Sequence, residues 1–213
     1  MVSGIGKMKD RSQRKRDVRD CQIPDLSDLY WKALPNMMLN VLFKGAGPRN
    51  GLARVRVTSF VRLLNQAIHH YSAAREALAV RAKGGSGRTR ALFEAVSHFE
   101  ACVGCLHRTI NFAEAVKRDR NCPIIPRHVG ALSSDARKRI ADFRHAIEHL
   151  DDRIARGSMP ADARKMLTIE PNAIKLGSHS IALRELANWI TELETIAQAI
   201  AKWSPQDASP DSS

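Results

Sequence analysis

No apolar run in these 213 residues approaches the roughly 18 to 20 that a membrane-spanning helix needs. The basic N-terminal residues also lack the apolar stretch of a signal peptide. A soluble, cytoplasmic protein with no membrane partner is therefore expected. Cysteine is scarce: four in a chain of this size are too few for a disulfide scaffold, and a reducing compartment keeps them as thiols. Cys102 and Cys105 form a Cys-x-x-Cys pair, but no second pair follows to complete a zinc site. With His98 they fall on one helix face, where a three-ligand metal site competes with the simpler reading of small thiols on a packing face. No internal repeat is evident. The aromatics, Phe143 and three Trp among them, sit at core spacing and do not interleave with bases as in a base-stacking platform.

Acidic residues are the minority charge. Against 34 Lys and Arg stand 22 Asp and Glu, leaving a formal charge of +12. A polyanion such as RNA is the natural partner for that excess, because binding it releases condensed counterions. A solvated basic surface is the competing reading.

The chain divides into a basic arm over residues 1–24, expected to be disordered for want of large apolar side chains, a single body over 25–203, and a polar tail over 204–213. Apolar residues recur at steps of three and four through the body. Helices are predicted from about Ser27 to Leu42 with a kink or break at Pro35, from residue 52 to about 83, from about 88 to 118, from Ser133 or Ser134 to Gly157, and from about Ile181 to Trp203. Residues 166–177 alternate around Pro171 and Asn172 and predict a small β-hairpin. The fold class is all-α: an antiparallel bundle of about five helices with a hairpin inserted before the last.

The fourth helix carries Arg144-His145-Ala146-Ile147-Glu148-His149. A guanidinium grips a phosphate without losing its charge, and an imidazole exchanges protons near neutral pH. Arg followed by His after four to six residues occurs three times, at Arg62 and His69, Arg139 and His145, and Arg144 and His149. About three such pairs are expected by chance in so arginine-rich a chain. Context separates them: Arg144 alone is followed by a polar residue, on a well-capped late helix with Asp151 and Asp152 beyond.

On those residues the chain resembles the HEPN superfamily, helical bundles whose ribonuclease members carry Arg, four to six residues, then His on a late helix. The resemblance covers most of residues 25–203. It implies a metal-independent endoribonuclease that works as a homodimer without a cofactor. It also implies a possible toxin or phage-defence role and an antitoxin or nucleotidyltransferase-like protein partner. His149 would be the general base on the ribose 2′-hydroxyl and Arg144 would stabilise the phosphoryl charge. His145 stands where the family more often has Asn; it would orient the phosphate or share the proton. Glu148 and Asp152 would support the site.

Helix geometry sets a condition on this reading. Arg144 and His149 lie about 140° apart around a straight helix, so they close on one phosphate only if the helix deforms or a second copy supplies the partner. Within one helix Arg144 meets Glu148 at the fourth position on, an ordinary ion pair. Two other readings stay open. A non-catalytic bundle would bind nucleic acid, nucleotide or protein. A metal-dependent hydrolase would use His145, His149 and Asp152, which share one face. His69, His70, His107, Arg108 and His128 are further candidates for an RNA-binding cleft.

Overall fold

The computed structural model describes residues 23–30, 32, 33, 35, 48, 50–123, 125, 132–157 and 167–202. Helix α1 spans Gly51–Lys83 and α2 spans Arg88–Arg118. At about 1.5 Å per residue each is close to 50 Å long. Asn50 starts α1 by accepting a hydrogen bond from the Ala53 amide at 2.8 Å, which satisfies one of the donors a helix start leaves unpaired. The link to α2 turns on Gly84 and Gly85, with φ of 86° and 102°, values that a side chain with a Cβ rarely adopts. The two helices form an antiparallel hairpin. Along it Arg56 meets Asp119, Gln66 meets Cys105 and His70 meets His98.

Helix α3, Ser134–Ala155, lies antiparallel on α2, since Arg137 reaches Glu114 while Arg144 reaches His107. Strands β1 (Thr168–Ile169), β2 (Ala173–Leu176) and β3 (His179–Ala182) then form an antiparallel meander. Helix α4, Leu183–Lys202, closes the structure. Fully buried Phe60, Leu64, Tyr71, Phe99 and Leu106 of the hairpin join Ile140 and Phe143 of α3, Ile174 and Ile181 of the sheet, and Leu186 and Ile190 of α4 in one core.

The fold is mostly helical, with a small sheet before the last helix, and among the described residues it has four α-helices. Of the predicted first helix, the described residues show a 3₁₀ turn at Ser27–Leu29 and a helical Pro35, and most of the remainder lies outside them. So do the polar tail and all of the basic arm except Ile23 and Pro24. The predicted hairpin around Pro171 and Asn172 is present as β1 and β2, and β3 extends it to three strands. Gly177, at φ 60°, and Ser178 form a two-residue turn that returns the chain, so that Leu176 pairs with His179 and Ile174 with Ile181. Ile181 is thereby a strand residue, and the last helix begins at Leu183 instead of near Ile181. Both Ile174 and Ile181 turn inward, and burial of that pair outweighs the helical spacing that Ile181 shares with the residues after it.

Candidate functional site

Ser133 caps α3, its hydroxyl accepting from the Ala136 amide at 3.1 Å, with Asp135 in the first turn. Both features favour a helix N-terminus. The inward stripe changes character along the helix. Ala136, Ile140 and Phe143 are buried, Ile147 and Leu150 are only partly so, and Ile154 is 54% exposed. The half of α3 that carries the Arg and His motif therefore rides at the edge of the core.

Arg144 projects toward α2. Its Nη2 donates to Glu148, and its Nη1 lies 3.4 Å from Nδ1 of His107. A guanidinium only donates, so Nδ1 of His107 must accept, which requires a neutral imidazole with its proton on Nε2. Burial lowers the pKa of His107, and the adjacent Arg144 charge lowers it further against a smaller opposing effect of Glu148. Both influences favour the neutral form that the hydrogen bond demands.

The imidazoles of His145 and His149 pair further round the outward arc of α3. The rings of His145 and His149 meet edge to face with centroids 4.1 Å apart. Nδ1 of His149 is 3.5 Å from an oxygen of Asp152. Asp142, on the same side, accepts a hydrogen bond from Lys138, which lowers its pKa; His179 of β3 and His145 add smaller contributions in the same direction. The structure thus joins Arg144 with Glu148, His145 with His149, and His149 with Asp152. It does not bring Arg144 to His149 within one chain.

His107 is the site neighbour that Arg-to-His spacing did not assign to Arg144. It lies 37 residues away in sequence, and nothing in the local pattern pairs the two. His69 and His70 form a separate cluster with His98 and Tyr30. Nδ1 of His70 lies 3.2 Å from Nδ1 of His98, and ring centroids are 5.9 Å apart for Tyr30 and His69. His128 and the side chain of Asp151 lie outside the described residues.

Among the described residues no group of three or more His, Cys, Asp or Glu is arranged to hold a metal ion. Cys102 is fully buried, and burial pushes its thiol pKa well up. Cys105 points to Gln66, and His98 turns to His70. Those three side chains therefore do not converge, and the thiols serve as packing groups. No helix among the described residues is long and apolar enough to cross a membrane. The chain matches no protein-family model, no curated protein and no solved structure.

Proposed function

We propose that this protein is a metal-independent endoribonuclease of HEPN type. It acts as a homodimer on RNA, with Arg144 and His149 as the principal catalytic residues, His145 assisting, and Glu148 and Asp152 positioning them. The observation that carries the reading is the placement of α3. Its motif-bearing half lies at the edge of the core, and its apolar stripe continues through partly buried Ile147 and Leu150 to Ile154, 54% exposed. A twofold axis beside this half-helix would cover the stripe and face the two motifs across one cleft. That would supply the Arg to His approach that a single helix denies. The bundle of about five helices belongs to the same proposal, with the segment after Ser27 as its first helix.

The chemistry needs no metal. His149 removes the proton of a ribose 2′-hydroxyl, whose oxygen attacks the adjacent phosphorus and displaces the 5′-oxygen of the next nucleotide, leaving a cyclic phosphate. Arg144 stabilises charge on the non-bridging oxygens. His145, in ring contact with His149, orients the phosphate or returns a proton to the leaving oxygen. A role as a toxin or phage-defence effector, with an antitoxin or nucleotidyltransferase-like partner, comes from the family resemblance alone.

The test is incubation with single-stranded RNA, with and without chelator. Cleavage that survives chelator and disappears in Arg144→Ala and in His149→Ala supports the proposal. Loss of cleavage with chelator points to metal-dependent hydrolysis, and a strict monomer on gel filtration argues against the shared cleft. One observation favours a second reading, a bundle that binds RNA without cutting it. Arg144 is already engaged by Glu148 and His107, a pairing that RNA must open before the guanidinium can act. Binding without cleavage in the same assay selects that reading.

A further inference from the structure

The antiparallel register sets four basic side chains at one level of the bundle. Arg144 of α3 meets His107 of α2, and the next residue on α2 is Arg108. Across the hairpin, Gln66 of α1 lies beside Cys105, and Arg62 is one helical turn before Gln66. The Arg62 and Arg108 charges both reach the Cys105 thiol: burial raises its pKa, and the two guanidiniums oppose that rise.

They also share one side of the bundle. Helix α2 packs through Phe99, Cys102, Val103, Leu106 and Ile110. At about 100° per residue, Arg108 falls near the middle of the opposite arc, between His107 on the α3 rim and Cys105 on the α1 rim. Two neighbours in this arc are Gly104 and Ala101, which raise little above the helix backbone; a Cβ built on Gly104 would meet nothing within 4 Å. From Arg144 the outward arc of α3 continues to His145 and His149. Arg62 and Arg108 are both exposed, and no carboxylate of a described residue pairs with either. Most other arginines of the hairpin and α3 do have acidic partners: Arg56 with Asp119, Arg75 with Asp25, Arg90 with Glu94, and Arg137 with Glu114.

We propose that Arg62 and Arg108, with Arg144, form a phosphate track over the outer face of α2 that leads the backbone of single-stranded RNA to the His145 and His149 pair. The inference rests on the ribonuclease reading and names the path of its substrate. Adjacent helix axes are about 8 to 10 Å apart, so the track crosses two such steps, a span of several nucleotides. Its ligand is the phosphodiester chain and not a particular base. The low floor at Gly104 and Ala101 admits the chain, and the two guanidiniums lack the intramolecular carboxylates that would compete with phosphate.

The probe is a fluorescein-labelled single-stranded RNA with 2′-O-methyl riboses, which binds but lacks the attacking hydroxyl. Affinity is measured against salt for the wild type, for Arg62→Gln/Arg108→Gln, and for Lys83→Gln/Arg88→Gln, which removes the same charge at the far end of the hairpin. Each lost phosphate contact lowers the salt slope by about 0.7 for a single strand, so the track variant should lose about 1.4 and the control close to none. Equal slopes in wild type and track variant overturn the track while leaving RNA as the ligand. Equal losses in both double variants overturn it too, because net charge would then suffice. Failure of the wild type to bind overturns the track and the ribonuclease reading together. The expected binding pattern without cleavage of unmodified RNA upholds the track and overturns the ribonuclease reading.

Discussion

Glu194 offers the sharpest test of the packing around α4. Its residue is 2% exposed, and its carboxylate accepts a hydrogen bond from Gln198 at 3.3 Å and feels the charge of Lys32. Neither partner offsets burial, which pushes the pKa up to about 7 from 4.5. Between those pH values the unfolded chain has released the proton while the folded one still holds it. Each rise in pH over that window therefore favours unfolding. The stability is fully present below the unfolded value and is lost as pH climbs through the folded one. The gap corresponds to about 3 kcal/mol at full ionisation. Glu194→Gln keeps the shape and a hydrogen-bonding group but cannot ionise. At about pH 8 it should be the more stable protein by up to that amount, about 6 to 12 °C in Tm for a domain of this size. At about pH 4, where the wild-type carboxyl is also neutral, the two should melt together. Thermal denaturation followed by far-UV circular dichroism reads both points. The half-buried His70 and His107, whose pKa values are lowered, tilt wild-type stability the other way with pH, but the difference between the two proteins cancels them. A Tm difference that is the same at both pH values, or a variant less stable at high pH, would refute the reasoning.

The remaining predictions concern α3 and its neighbours. Arg144→Gln should raise the pKa of His107 toward the ordinary histidine value in an NMR titration, because one of the two influences lowering it is gone; an unmoved pKa would show that burial acts alone. Phe143→Ala, at a fully buried site, should cost about 3 to 5 kcal/mol in urea denaturation. Ile154→Ala, 54% exposed, should cost less than about 1 kcal/mol in the monomer, and equal losses would contradict the placement of the helix end. Arg139 donates to both oxygens of Glu185 at 2.8 and 2.9 Å and lies over the Trp189 ring at 5.4 Å. Arg139→Ala should cost about 1 to 2 kcal/mol, discounted for solvent screening, and should alter Trp189 fluorescence. Arg139→Lys should recover less than half, since an ammonium cannot make the paired contact; full recovery would mean that charge alone matters.

What the sequence determined by itself is what one helix determines. Spacing of three and four marked α1, α2 and α3 to within about two residues of their ends, with Ser133 as the cap of α3 and the Gly84 turn ending α1. It also set Arg144 beside Glu148, and His145 beside His149, because residues four apart are neighbours on any helix. It foresaw that Arg144 and His149 diverge. The tertiary structure decided the rest. Ile181 looked helical from its spacing, yet its inward pairing with Ile174 made it a strand residue and moved the start of α4. His107 became the partner of Arg144, and Arg62 and Arg108 came to one level of the same face. Those placements depend on how far two helices slide before their side chains interlock, and on where the Gly84 turn reverses the chain. A local period carries no record of that offset, so contacts spanning 37 residues appear only once the core has set the register between helices.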